Sequence, residues 1–374
     1  MTAKTIFYGA SYYHEYMPYE RLDQDIELMT RAGLSVIRVG ESTWSLWEPE
    51  EGRFEHAWMD RVVDAMHAAG IKVIIGTPTY SIPPWMCRRH PEILVRRANA
   101  PPTTYGMRQN MDTDSPAYRF YAERIIRRLV AQYREHPAVI AWQIDNETAS
   151  YGATNDDVFA GFVDHLKGKF DSPEALNGAW LLNYWGQSLS AWEDLTRQDT
   201  PSSTGYRLEW ARWSQVRVTN FLAWQAALVR ELKRPDQLVV HNFSPGVHAD
   251  INERAVARVL DVVGTNPYHP TQDRFDGHTQ TFNGDFYRSL KHDNYWVTEI
   301  NAQTIGSSSA HHFRPMTVRR GSMSIVISRA APTWSPIGIG TACIPASRHT
   351  GRVCSDTTSS PTAFTGRSPR LRGS

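Results

Sequence analysis

The chain has 374 residues, 41% of them hydrophobic, and a net charge of +1. That is long enough for one large barrel or two ordinary domains, with apolar content enough for a sizeable core. The near-neutral charge gives no electrostatic reason to expect a nucleic acid or a membrane surface as partner. The opening residues lack the apolar segment of a signal peptide, and no run reaches transmembrane length. Cys87, Cys343 and Cys354 have no CxxC spacing. They read as free thiols of a reducing compartment, the cytoplasm.

A first strand is predicted over Ile6–Ala10. A helix follows with Leu22, Ile26, Met29 and Ala32 on one face and Gly33 as its stop. Leu34–Val39 is a second strand, and the loop after it carries Glu41, Trp44 and Trp47. The next helix shows Met59, Val62, Val63, Met66 and Ala69 on one face, closed by Gly70. Lys72–Gly76 is a third strand with a long exit loop through Pro83, Pro84 and Trp85. Ser115 and Pro116 make an N-cap and first helical turn, and that helix reaches about Arg134.

The fourth strand is the apolar run Ala138–Ala141, which enters Trp142-Gln143-Ile144-Asp145-Asn146-Glu147. A helical insertion with Trp180, Tyr184, Trp185 and Trp192 comes next, then a long helix from near Arg207 to Leu232. Leu238–Asn242, Val259–Gly264 and Tyr295–Glu299 are strands five to seven. Strands alternating with helices argue for parallel βα units. The expectation is a (β/α)₈ TIM barrel without its eighth strand. A doubly wound sheet is the competitor, but it would usually offer a Gly-rich first turn, and none is present.

Such barrels place function at the C-terminal strand ends. Those ends offer Glu41, Asn146-Glu147, Tyr268 and Glu299. Glu147 and Glu299 stand 152 residues apart, yet strands four and seven of a closed barrel face each other across the mouth. Two carboxyl groups flanking one site are the minimal equipment for glycoside hydrolysis, one protonated and one ionised. Plainer readings compete. Glu147 could be a solvated strand exit, Glu41 an ion-pair partner of Arg38, and Tyr268 a packing residue at the mouth. His241 and His269 read as structural histidines. No HExxH or other metal-ligand spacing is present, so no metal and no cofactor are expected. Twelve of the 13 tryptophans precede residue 307; indoles stack on sugar faces, and they also fill cores.

Five motifs in fixed order make the sequence resemble the catalytic barrel of the glycoside hydrolase family 42 β-galactosidases. They are Trp44 to Phe54, Thr77-Pro78 through Pro84-Trp85, Ala141 to Glu147, Asn266-Pro267-Tyr268, and Thr298 to Asn301. The resemblance covers about residues 6–306. It implies retaining double displacement on terminal β-D-galactosides, with Glu147 as acid/base and Glu299 as nucleophile. It further implies that Arg108 and Asn146 contact galactose hydroxyls and that Tyr268 bonds near the nucleophile. The partner implied is a small β-galactoside or galacto-oligosaccharide. The zinc-binding cysteines of some members are not matched by Cys87 alone. A related hydrolase for other β-glycosides or α-L-arabinopyranosides, and an inactive sugar-binding barrel, are the alternatives.

The composition breaks near Gly306. Residues 307–374 hold nine Arg, no Lys, a single acid (Asp356) and 13 Ser, whereas residues 1–306 hold 31 basic against 38 acidic residues. The reading is a barrel over 1–306 and a basic, disordered tail over 307–374. Moving the reading frame back by one base makes the codons of Trp334 to Thr341 compatible with a Val-Ala-Tyr-Trp-His-Trp-His run, which resembles the family's eighth strand. The expectation is therefore a frameshift between about Gly306 and Arg314, beyond which the chain has neither the family's eighth strand nor its trimer interface.

Overall fold

The computed structural model describes residues 7–16, 19–244, 246, 248–268 and 277–300, with the backbone of 337–338. Seven parallel strands follow one another in sequence: β1 (Gly9–Ser11), β2 (Val36–Val39), β3 (Lys72–Gly76), β4 (Val139–Gln143), β5 (Leu238–Phe243), β6 (Val262–Thr265) and β7 (Trp296–Val297). Their order in the sheet is their order in the chain. A doubly wound sheet reverses order at its switch point, so that alternative is excluded. Ile337–Gly338 (β8) pairs in parallel with β7, in the register Trp296 to Ile337 and Val297 to Gly338. Among the described residues no pairing joins β8 to β1, so the sheet is a curled, unclosed barrel. The rest of the expected disordered tail lies outside the described residues.

The helices expected before β2, β3, β4 and β5 form where the sequence places them, whereas Glu253–Arg258 and Gly277–Lys291 are helices that the sequence reading does not name. Ser115 accepts the Tyr118 N–H and Pro116 opens the helix Pro116–Tyr133. Ser203 caps Thr204–Leu232 in the same way. The helix Ala57–Ala68 buries Met59, Val62, Val63 and Met66. Gly33 and Gly70, at φ of 75° and 73°, adopt the left-handed conformation that ends a helix. The insertion folds as Asp156–Lys167, Pro173–Trp180 and short 3₁₀ turns around its own apolar cluster of Phe162, Leu166, Leu176 and Tyr206.

Strand geometry makes the site. Side chains alternate across a strand, so one set faces the barrel interior. Val36, Ile74, Ala141, Val240 and Trp296 form a closed inner cluster. Two residues further on, the same face becomes Arg38, Gly76, Gln143, Asn242 and Thr298, a polar layer at the C-terminal mouth. Gly76 has to be glycine, because a Cβ there would lie 2.5 Å from the Cβ of Glu41. Alternate positions such as Ile37, Val73, Trp142 and Val239 point outward into the main core beneath the helices. Trp44, Trp47 and Trp142 are fully buried, so these indoles pack the core and are withheld from any sugar.

Candidate active site

Arg38 is wholly buried and centres the polar layer. Its Nη1 donates to Gln143 Oε1 at 2.9 Å. Its Nη2 donates to Tyr13 Oη at 3.2 Å, Glu41 Oε1 at 3.0 Å and Glu299 Oε1 at 2.6 Å. The plainer reading of Glu41 is thus realised: it is an ion-pair partner of Arg38. Glu299, two residues past β7, also accepts from Asn242 Nδ2 at 3.1 Å on the same oxygen. Its other oxygen accepts the Tyr268 hydroxyl at 2.5 Å. Every partner of this carboxylate is a donor.

Glu147 sits across the mouth in a different setting. Its Oε1 accepts from Asn266 Nδ2 at 2.8 Å and its Oε2 from Arg108 Nη2 at 3.2 Å. Arg108 is half exposed, with its guanidinium 5.7 Å from the Tyr80 ring centre. Asn146 turns its Oδ1 to Asn242 Nδ2 at 2.8 Å. Asn242 therefore touches Asn146 and Glu299 through its amide nitrogen, while its Oδ1 accepts the Glu147 N–H at 3.2 Å.

The two carboxyl groups are driven in opposite directions. Burial, then the negative charge of Glu299, raises the Glu147 pKa above the ordinary carboxylate range; Asn266 and Arg108 only partly offset this. Burial also acts to raise Glu299, but the Arg38 charge and the donors Tyr268 and Arg38 outweigh it and hold the group low. The two settings push the groups apart in opposite directions, the asymmetry that acid-assisted displacement at an acetal carbon uses. Among the described residues no three His, Cys, Asp or Glu side chains are placed to hold a metal ion.

The backbone that presents Glu147 is itself unusual. Asp145 and Glu147 have φ of 51° and 45°, a left-handed conformation that costs a non-glycine residue free energy. Side chains hold it. Ile144 O accepts from His241 Nδ1 at 2.8 Å, and Asp145 N donates to Thr77 Oγ1 at 2.7 Å. Gln143 Nε2 donates to Asp145 O at 3.0 Å. Gln109 Nε2 reaches the carbonyls of Asn146 and Glu147 at 3.0 and 3.2 Å. His241 is fully buried, in keeping with its reading as a structural histidine; His269 lies outside the described residues.

The structure brings together all five residues singled out in the sequence: Arg108, Asn146, Glu147, Tyr268 and Glu299. Sequence reasoning gave no role to Asn242, Asn266 or Tyr13, and took Arg38 only as a partner for Glu41. Arg38 carried a signal. An arginine inside Val36–Val39 is buried, and a buried guanidinium demands internal carboxylates.

A sequentially ordered parallel barrel with two inequivalent carboxyl groups at its mouth defines the class: a TIM-type barrel with an acid pair at the ends of its fourth and seventh strands. The chain belongs to the Glyco_hydro_42 (Beta-galactosidase) family, whose model matches residues 11–326, a range that runs past the compositional break. It is 32% identical to beta-galactosidase BgaA of Thermus sp, covering 78% of this chain and 48% of that protein. It is 30% identical to beta-galactosidase BgaH of Haloferax lucentense, covering 78% and 46%. The chain thus spans about half the length of the curated relatives it matches. Among solved structures, the polyextremophilic beta-galactosidase of Halorubrum lacusprofundi aligns with a TM-score of 0.83 at 26% identity, over 90% of this chain and 52% of that one. The beta-galactosidase of the psychrophilic Marinomonas ef1 aligns at 0.81 and 26%, over 90% and 54%. The catalytic domain of a Paenibacillus polymyxa beta-amylase, at 10% identity and a TM-score of 0.65, shares the fold alone.

Proposed function

We propose that this barrel hydrolyses terminal non-reducing β-D-galactosides by retaining double displacement. The observation that carries the reading is the opposed settings of the two carboxyl groups: Glu299 among the donors Arg38, Tyr268 and Asn242, and Glu147 half-buried, held by Asn266 and Arg108, with its pKa raised. Glu299 attacks the anomeric carbon as Glu147 gives its proton to the leaving oxygen. Glu147 then removes a proton from the water that releases the sugar. Asn146 and Arg108 bind sugar hydroxyls, and Tyr268 steadies the nucleophile. The partner is a small β-galactoside or galacto-oligosaccharide. The buried, unpaired Cys87 supports a place in the reducing cytoplasm.

A second reading is favoured by the compositional break and the half-length match: an inactive or weakly active piece of such an enzyme. In this account residues 1–306 are the barrel and 307–374 are an out-of-frame tail. Turnover by this exact chain is then low. Hydrolysis of a chromogenic β-galactoside, compared between this chain and a frame-restored one, separates the readings. Turnover only after restoration supports truncation. Turnover in neither, with sugar binding kept, replaces the hydrolase reading with a binding barrel.

A further inference from the structure

Asp145 is completely buried and has no cationic partner at hydrogen-bond distance among the described residues. Its Oδ1 accepts the Asn146 N–H at 2.6 Å. Its Oδ2 accepts Thr79 Oγ1 at 3.1 Å and Gln225 Nε2 at 3.3 Å. Gln225 is itself fixed, its Oε1 accepting from Thr77 Oγ1 at 2.8 Å. That same Thr77 oxygen accepts the Asp145 N–H. The ring of bonds therefore ties the exit of β3 and the helix Thr204–Leu232 to the two peptide groups just before Glu147. Burial pushes the Asp145 carboxyl up to about 7, against the bonds from Asn146, Thr79 and Gln225. An unpaired acid kept in such a place is costly. An amide of the same shape would fill the space without that cost, so packing alone does not account for it.

We propose that Asp145 is the positioning residue for the acid/base: with Thr77, Thr79 and Gln225 it locks the left-handed turn that aims the Glu147 carboxyl at the leaving-group oxygen. It touches no substrate. The inference rests on Glu147 having the acid/base role, and it adds the element that holds that role in place. Asp145→Asn keeps the shape but turns an acceptor into a donor facing Gln225. The turn then loosens and Glu147 shifts away from the oxygen it protonates.

The test exploits the acid step. A 2,4-dinitrophenyl leaving group departs without protonation, whereas a methyl or sugar leaving group does not. Asp145→Asn is expected to lose roughly 10²-fold in kcat/KM on a methyl β-galactoside, the scale of a misplacement of about 1 Å, with little loss of kcat/KM on the dinitrophenyl substrate, whose first step needs no proton. Gln225→Leu is expected to show the same pattern more weakly. Equal losses on both substrates, the mark of mere destabilisation, would overturn the proposal. Amide hydrogen exchange supplies a readout independent of activity. Faster exchange in a peptide spanning 144–148, with 36–39 and 72–76 unchanged, supports the lock. Unchanged exchange at 144–148 refutes it. If the parent chain turns over neither substrate, the hydrolase reading fails for this chain, and the exchange result still decides whether Asp145 holds the turn.

Discussion

Arg38 and Glu299 are 261 residues apart in sequence and 2.6 Å apart in space. The same guanidinium nitrogen also holds Glu41 at 3.0 Å, so one cation serves two buried carboxylates. Deleting a partner from a buried ion pair leaves an uncompensated charge and costs about 3–5 kcal/mol. Arg38→Ala is therefore expected to destabilise the barrel by roughly that amount, read as a fall in thermal midpoint. An unchanged midpoint would show that the site tolerates two unpaired acids and would remove Arg38 from its centre.

In the proposed mechanism the opposed carboxyl groups set the pH dependence of turnover. Glu147 must be protonated to act as the acid, so activity falls as pH rises through its raised pKa. Glu299 must be ionised to attack, so activity falls as pH drops through its lowered pKa. The expected kcat/KM profile is a bell. Tyr268→Phe removes a donor that lowers the Glu299 pKa, so its acidic limb moves to higher pH while the alkaline limb stays. Movement of the alkaline limb instead would reverse the assignment of the two acids.

How far the site could be read in advance differs from residue to residue. Lys72–Gly76 was legible to the residue, because a buried parallel strand is a continuous β-branched run. The seventh strand, expected over Tyr295–Glu299, is regular strand only over Trp296–Val297, with one further backbone bond from Thr298 N–H to Thr265 O at 2.9 Å. Glu299 is thus a loop residue anchored by side chains, and run length alone cannot show where pairing stops. Asn242 left no separate signal, since a polar residue ends most strands. It becomes informative only through period two, which places it on the inner face with Val240. Asp145 was visible as a letter in its motif. Its role depends on Gln225, 80 residues away, and a contact of that kind lies outside any local pattern.

Acid stability has its own source in His241. Burial depresses its pKa to about 4, while the imidazole donates to the Ile144 carbonyl. The unfolded chain regains the ordinary value of about 6.5, so it binds the proton first as pH falls. Stability is complete above about 6.5 and is lost progressively down to about 4, by roughly 3 kcal/mol over the window. His241→Gln keeps a donor without the titration, and it is expected to flatten this part of the stability curve in urea unfolding between pH 7 and pH 4. A parallel loss in the variant would place the acid lability elsewhere.

Glu147→Gln removes the proposed proton donor and leaves the proposed nucleophile, Glu299, untouched. The expected loss in kcat/KM is about 10²–10⁴-fold on substrates with poor leaving groups and far smaller on dinitrophenyl galactoside. The kcat/KM values on the two substrates check this. Loss of the same size on both would show that Glu147 serves binding and not proton transfer.

The measurement that bears most directly on the whole account is turnover of a chromogenic β-galactoside by the frame-restored chain carrying Glu299→Ala, with and without azide. The account predicts no turnover alone, and recovery in azide with release of the inverted α-galactosyl azide, because a small anion then occupies the place of the missing carboxylate. Turnover that survives Glu299→Ala, or a β-configured azide product, would contradict Glu299 as the nucleophile.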